Sequence, residues 1–419
     1  MPKTDSKSTI PSILLLAVLV SAGIAEPQLG NGQDGRRGCQ RPQMARAFVE
    51  NPIPQEQRWF RIDKQRAVTQ PGDPTLWYDI RELDIEGKGW QDTEHFYDRL
   101  PARAKGVVRD AVWELGQQSA GMYVRFVTDA TKIQGRWILR FERLGSEHMP
   151  ATGVSGLDLY IKKEAGGWHW LGVGRPSQFP LNQKVLADEL APGTHEYLLY
   201  LPLYNGVESV QIGLAPEAFL AKAPQHTAET AKPICVYGTS ITQGGCASRT
   251  GMAYTAILGR RLDRAIINLG FSGNGPMEME VGRFLAELDP AVYVLDCLPN
   301  MNPVQVAERT VPFVKMLRQK RPETPIVLVE NISYTNAAYV PVRHENYTAK
   351  NAALRKAFQQ LIAEGFKRIF YLQGDQLLGQ DGEATVDGTH PTDLGFLRTA
   401  DAMEPTLREA LKASYSSEP

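Results

Sequence analysis

The chain has 419 residues, long enough for two domains of ordinary size. Its formal net charge of −1, with no dense basic run, leaves no electrostatic footprint for a nucleic-acid partner. A hydrophobic fraction of 42% is typical of a globular protein and does not by itself point to any chemistry.

Lys3 and Lys7 precede an apolar stretch, Ile10 to Ala25, that ends in small residues. The run is shorter than the roughly 20 residues that span a bilayer. Residues 1–25 therefore read as a secretory signal peptide cleaved after Ala25, with a retained anchor as the alternative. On that reading the mature protein has no membrane span and is secreted or periplasmic. Residues 26–47, rich in Gly, Gln and Arg with little apolar surface to bury, are predicted to be a flexible linker. The four cysteines, Cys39, Cys235, Cys246 and Cys297, are too few for a disulfide scaffold. Cys246 and Cys297 both follow predicted strand ends, and a bridge between them is geometrically open. Cys235 and Cys297 otherwise read as small buried apolar residues.

Residues 48–220 show short segments with period-two alternation between turn residues: Met122–Val127, Trp137–Phe141, Leu157–Ile161, Tyr197–Leu201 and Val210–Leu214. Turn signals at Lys88-Gly and Ala165-Gly-Gly separate them. Many short strands without helices predict an all-β sandwich or jelly roll. All seven tryptophans fall in this half and are expected mostly to fill its core. Trp168 and Trp170, flanking His169 beside a glycine turn, are the candidates for an exposed pair that could stack on sugar rings.

Residues 221–232, polar and proline-punctuated, read as a linker. From 233 to 419 the pattern changes to apolar runs (Ile234–Tyr237, Ala265–Leu269, Val292–Leu295, Ile326–Val329, Ile369–Leu372) alternating with helical stretches such as Ala253–Leu262, Val304–Gln319 and Ala349–Ala363. That alternation predicts an α/β domain with a parallel sheet covered on both faces, whose reactive groups collect at the carboxyl ends of the strands.

The chemistry-bearing residues fall at those ends. Val236-Tyr-Gly-Thr-Ser-Ile-Thr242 puts Ser240 on a sharp turn after the first run, and Asp387-Gly-Thr-His390 supplies a carboxylate and an imidazole before the last helix. A serine hydroxyl needs a base to take its proton and a third group to orient that base. Ser240, His390 and Asp387 are candidates for those roles. Acyl transfer also needs donors for an oxyanion. The Ser240 N–H, the Gly273 N–H in Asn268-Leu-Gly-Phe-Ser-Gly-Asn-Gly275, and the Asn300 amide in Asp296-Cys-Leu-Pro-Asn-Met301 are candidates. His344 and Glu345, after the fourth run, are further candidates to line the pocket. The seven histidines show no metal-binding spacing, and Gly270–Gly275 lacks a phosphate-loop lysine, so neither a metal nor a cofactor is expected.

This ordered set of Ser, Gly, Asn and His blocks resembles the SGNH (GDSL-like) hydrolase family over roughly residues 233–411. The resemblance implies a flavodoxin-like three-layer catalytic domain, Ser240 as nucleophile, Asp387 and His390 completing a triad, and Gly273 and Asn300 completing an oxyanion hole. Two blocks depart from the family: Gly-Thr-Ser stands for Gly-Asp-Ser, and Pro-Asn for the more common Gly-x-Asn-Asp, so the support around Ser240 must differ. Gly156-Leu-Asp-Leu-Tyr160 matches a motif of a subgroup with a β-sandwich ahead of the hydrolase domain. That architecture looks like two-domain carbohydrate esterases, implying an enzyme that removes acyl, chiefly acetyl, groups from a carbohydrate through an acyl-enzyme. The alternatives are a non-catalytic carbohydrate-binding protein with a degenerate hydrolase domain, and an esterase acting on lipid or small-molecule esters.

Overall fold

A computed structural model describes residues 59–415; the signal peptide and linker predicted at 1–47, and Cys39 with them, lie outside the described residues. In chain order the strands are β1 (Val68–Gln70), β2 (Asp73–Asp79), β3 (Ile85–Glu86), β4 (Tyr123–Thr128), β5 (Ile133–Leu139), β6 (Leu157–Lys162), β7 (Trp168–Gly174), β8 (Leu181–Ala187), β9 (His195–Tyr200), β10 (Val207–Leu214) and β11 (Leu220–Lys222). The short helices α1 (Asp110–Gly116) and α2 (Ala151–Val154) interrupt them. Two antiparallel sheets result, ordered β1-β2-β10-β5-β8 and β11-β4-β9-β6-β7, with β3 paired to β4. Alternating residues of both sheets, among them Tyr78, Phe126, Trp137, Leu159, Leu199 and Ile212, interdigitate in one core. The predicted glycine turn closes the β6–β7 hairpin, where Gly166 and Gly167 both take positive φ.

The second half supplies β12 (Ile234–Gly238), α3 (Ser240–Gln243), α4 (Tyr254–Leu262), β13 (Ile266–Gly270), α5 (Met279–Leu285), β14 (Val292–Asp296), α6 (Pro303–Lys320), β15 (Ile326–Val329), α7 (Pro341–Ala363), β16 (Ile369–Leu372) and α8 (Asp393–Tyr415). The five strands are parallel in the order β13-β12-β14-β15-β16. Strand order reverses beside β12, and that switch point is where open α/β sheets bind ligands. The apolar runs look continuous because both faces are covered, yet they sort by parity. Cys235, Tyr237, Leu269 and Leu295 face α5, α6 and α7. Ile234, Val236, Val292 and Val294 face α4 and α8. This is a three-layer α/β architecture of flavodoxin-like order. Among the described residues no helix is long and apolar enough to cross a membrane.

One stretch departs from the all-β expectation. Between β3 and β4 the chain forms α1 and irregular turns, and its apolar residues Trp90, Leu100, Val112 and Trp113 join the core of the parallel sheet beside Phe271 and Leu285. Arg99, almost wholly buried, fixes this segment by donating to the carbonyls of Leu115, Gln118, Asn268 and Gly270. Its guanidinium has no carboxylate partner there, and burial lowers its pKa to about 9. The predicted connection also differs in detail: Leu220–Lys222 pairs with β4, and Arg264 binds the carbonyls of Glu229 and Lys232.

The Gly156-Leu-Asp-Leu-Tyr160 motif joins the two halves. Asp158 on β6 is fully buried and accepts from Trp170 Nε1 (2.8 Å), Arg249 Nη1 (2.8 Å) and the Gly251 N–H (2.8 Å). Arg249 and Gly251 lie on the segment after α3. Tyr160 also receives Arg249, and Arg260 of α4 stacks over its ring at 4.1 Å. Trp170 is therefore partly exposed but already committed to the Asp158 and Arg249 contacts, while Trp77, Trp90, Trp113 and Trp137 are buried. Removing the acceptor in Asp158→Ala would strand a cation and two N–H groups. We expect a loss of about 3–5 kcal/mol, the usual cost of breaking a buried pair, read as a lower urea midpoint at unchanged slope.

Candidate active site

Gly238 ends β12 where the chain must turn sharply. A Cβ there would lie 2.0 Å from Thr242 Oγ1 and 2.6 Å from the Asp296 carbonyl, so only glycine fits. Thr239 caps α3, accepting from the Ile241 N–H at 3.3 Å, and Ser240 opens that helix with its own N–H free of any intrahelical partner. The carboxylate missing from the Gly-Thr-Ser block is answered from the next strand. Asp296, at the end of β14, accepts from Thr242 Oγ1 (2.9 Å) and the Tyr254 hydroxyl (2.8 Å) beneath the serine turn. Burial pushes its carboxyl up to about 6, against the pull of those two hydrogen bonds. Sequence reasoning quoted Asp296 without giving it a role.

Ser240 Oγ lies 2.8 Å from His390 Nε2, and His390 Nδ1 lies 2.7 Å from Asp387 Oδ2. Asp387 Oδ1 accepts the backbone N–H groups of His390 (2.8 Å) and Thr389 (3.0 Å), so the carboxylate is fixed from both sides. Partial burial works to raise its pKa. The His390 N–H, the imidazole and the Thr389 N–H outweigh that and hold the group at about 2.

The other two predicted residues stand on the segments that follow β13 and β14. Gly273 takes φ +70°, a left-handed conformation that glycine adopts without strain, and its N–H makes no hydrogen bond to any described residue. Asn300, just past β14, accepts the Gly275 N–H at 3.2 Å through Oδ1, which leaves its NH₂ as the available end. Arg109, from the β-rich half, holds Asn274 Oδ1 at 2.7 Å, and Gln243 Oε1 accepts the Ser272 N–H at 3.1 Å. The loop carrying Gly273 is thus braced on both sides.

A cleft of about 550 Å³ lies beside the site; Ser240, His390 and Asp387 are not among its lining residues, but Ser272, Asn274, His148 and Tyr204 are. One wall is the Ser272–Asn274 loop. The other comes from the β-rich half: Glu114 and Gln118 near α1, Arg143 and His148 from the loop after β5, and Tyr204, whose hydroxyl donates to the Ser240 carbonyl at 3.0 Å. No motif marked these residues, because they lie on α1 and on loops of the half that carries none of the reactive blocks. His344 and Glu345 do not line this cleft; they sit near the start of α7, His344 packing edge-on to Tyr347.

Of the two readings open for the cysteines, the structure has the buried thiols and not the Cys246–Cys297 bridge. Cys235, Cys246 and Cys297 are all free thiols. Cys297 Sγ faces the Tyr237 carbonyl inside the sheet, whereas Cys246 occupies a left-handed turn after α3, near Asp387. Cys246 also meets His148 and His390, the ligand atoms of the three lying within 4.8 Å of one another. The scattered spacing of the histidines gave no sign of this convergence.

The profile of the GDSL-like lipase/acylhydrolase family matches residues 231–408, and that of the N-terminal domain of SGNH-hydrolase-type esterases matches residues 75–220. The chain is similar to a putative GDSL-like lipase from Bacteroides ovatus ATCC 8483 at 37% identity and TM-score 0.76, covering 81% of this chain and 98% of that one. The salicylyl-acyltransferase SsfX3 from a tetracycline biosynthetic pathway shares the fold at 19% identity and TM-score 0.63, over 81% and 96% of the two chains. A family two carbohydrate esterase from Clostridium thermocellum, solved with cellohexaose, shares it at 13% identity and TM-score 0.50, over 70% and 94%. No curated protein matches the chain. The chain belongs to the GDSL-like (SGNH) hydrolase family and is a carboxylic ester hydrolase with an N-terminal β-rich part of the Gly-x-Asp-Leu-Tyr type.

Proposed function

We propose that the protein is an exported serine esterase that removes acyl groups, chiefly acetyl, from a carbohydrate. The observation that carries the chemistry is the continuous relay Ser240–His390–Asp387, with links of 2.8 and 2.7 Å, at the carboxyl edge of the sheet. His390 Nε2 takes the Ser240 proton as Oγ attacks the ester carbonyl, and Asp387 stabilises the imidazolium that forms. The oxyanion is held by the N–H groups of Ser240 and Gly273 and by the Asn300 amide. The alcohol leaves with the proton from His390, and water, activated by the same imidazole, hydrolyses the acyl-enzyme.

A carbohydrate alcohol is supported by the cleft wall, where Glu114, Arg143 and Asn274 offer hydrogen bonds beside the rings of Phe141 and Tyr204. Aromatic faces next to polar groups suit a sugar ring better than an acyl chain. The fold shared with a carbohydrate esterase points the same way. Export is supported by the apolar stretch at residues 10–25.

The test is acetate release by the chain from Glu26 onward across acetylated xylan, acetylated mannan and an aryl acetate. Turnover of either polysaccharide supports the reading; turnover of the aryl acetate alone removes the carbohydrate from it. Asn300→Ala is expected to lower kcat by about 10²–10³ with little change in KM, as loss of one oxyanion donor does. An unchanged kcat would take Asn300 out of the oxyanion hole.

A further inference from the structure

The residues that the relay leaves unused include a thiol and an imidazole beside its base. His148 reaches in from the β-rich half, Cys246 from the turn after α3, and His390 from the segment before α8. Their ligand atoms lie within 4.8 Å of one another. Tetrahedral zinc with two nitrogens and one sulfur holds its ligand atoms roughly 3.3–3.6 Å apart. The 4.8 Å limit exceeds that spacing by about 1.2–1.5 Å, which is the most that any pair of ligand atoms has to close on metal binding.

We propose that His148, Cys246 and His390 form an inhibitory site for a thiophilic divalent cation of the zinc class, whose occupancy silences the esterase by capturing its base. An S,N,N donor set selects such cations over magnesium or calcium. Cys246 takes φ +73°, and its neighbour Ala247 is close-packed, since a Cβ on Gly153 would lie 2.2 Å from the Ala247 carbonyl oxygen. His148 already packs on the His390 ring, with centroids 5.9 Å apart.

Asp387 accepts from His390 Nδ1, so a metal on Nε2 would complete a carboxylate–histidine–metal arrangement. Binding forms one metal–sulfur and two metal–nitrogen bonds, replaces the Ser240 hydroxyl at Nε2, and releases the Cys246 thiol proton to solvent. The fourth position is left to water or to Ser240 Oγ.

The silencing half of the proposal rests on His390 acting as the base; the binding half does not, and the experiment separates them. Cobalt(II) titrated into the full mature chain should give a thiolate-to-cobalt charge-transfer band in the near ultraviolet, displaced by zinc. The band should vanish in Cys246→Ser and weaken in His148→Ala. It should persist in Ser240→Ala, which keeps all three ligands whatever its activity. With zinc, half-inhibiting concentrations normalised to each variant's own rate should rise at least about 10-fold in Cys246→Ser and in His148→Ala. Far-ultraviolet dichroism checks that both variants fold, and Cys246→Ala serves if the serine does not. Absence of the band, or inhibition by zinc that is the same in both variants as in the wild type, overturns the site. A cobalt band without zinc inhibition would keep the site and overturn its regulatory role.

Discussion

Ser240→Ala is expected to lower kcat by about 10⁶, the usual cost of deleting the nucleophile of such a relay. Ester hydrolysis should fall to what the oxyanion donors and substrate binding support on their own. Folding should be untouched. The hydroxyl that disappears makes one hydrogen bond, to His390, and the backbone that carries it is fixed by Thr239 and by Gly238. Turnover on acetylated substrate and the melting temperature, measured on one preparation, give the answer. A variant that keeps even a hundredth of the wild-type rate would remove Ser240 from the chemistry. One that loses activity and stability together would say only that the turn was damaged.

Asp387→Asn should cost about 10⁴ in kcat, with substrate affinity nearly unchanged. The two backbone N–H groups on Oδ1 would hold the asparagine oxygen where it is, turning its NH₂ toward His390 Nδ1. A donor there forces the imidazole into the tautomer with its proton on Nε2, where it can no longer accept from Ser240. A loss smaller than tenfold would mean that something other than Asp387 sets the tautomer. The folded pKa of about 2 lies below the unfolded value near 3.9. Its contribution to stability is therefore complete above about pH 4 and is lost as pH falls toward 2. Between pH 4 and neutrality the activity of the wild type should not follow protonation of Asp387, and the stability that its carboxylate contributes should be lost only below that range.

The parallel sheet was readable almost strand for strand. Ile326–Val329 and Ile369–Leu372 stand as predicted, and the other three strands end within a residue of the expected position. A strand buried on both faces has to be an unbroken apolar run, and helices on either side bound it sharply. The reactive positions followed, because a strand end fixes where the next few residues sit. Ser240, His390 and Asp387 are brought together at bonding distance, and Gly273 and Asn300 stand on the segments that follow β13 and β14. What could not be read was whatever depends on one half meeting the other. Trp113 is expected in the sandwich core and instead joins the core of the parallel sheet, since amphipathic periodicity records which face is apolar and not what covers it. Thr239 was noted as a loss of support, but its replacement, Asp296, stands on another strand and becomes visible only once β12 and β14 are neighbours. His148 and Cys246 lie too far apart in sequence for any spacing rule to link them.

Arg99 and the aromatic residues around it bear on how this protein could be cut or recombined. The obvious place to excise a minimal catalyst is just before Pro233, where composition changes. A fragment starting there would leave Phe271 and Leu285 without Trp90, Leu100 and Trp113, and the carbonyls of Asn268 and Gly270 without their cation. It would also lose Arg109 and one wall of the cleft. Grafting a foreign β-domain onto residues 233–415 would meet the same difficulty, so new specificities are better sought by exchanging the loop around Arg143 within the intact chain.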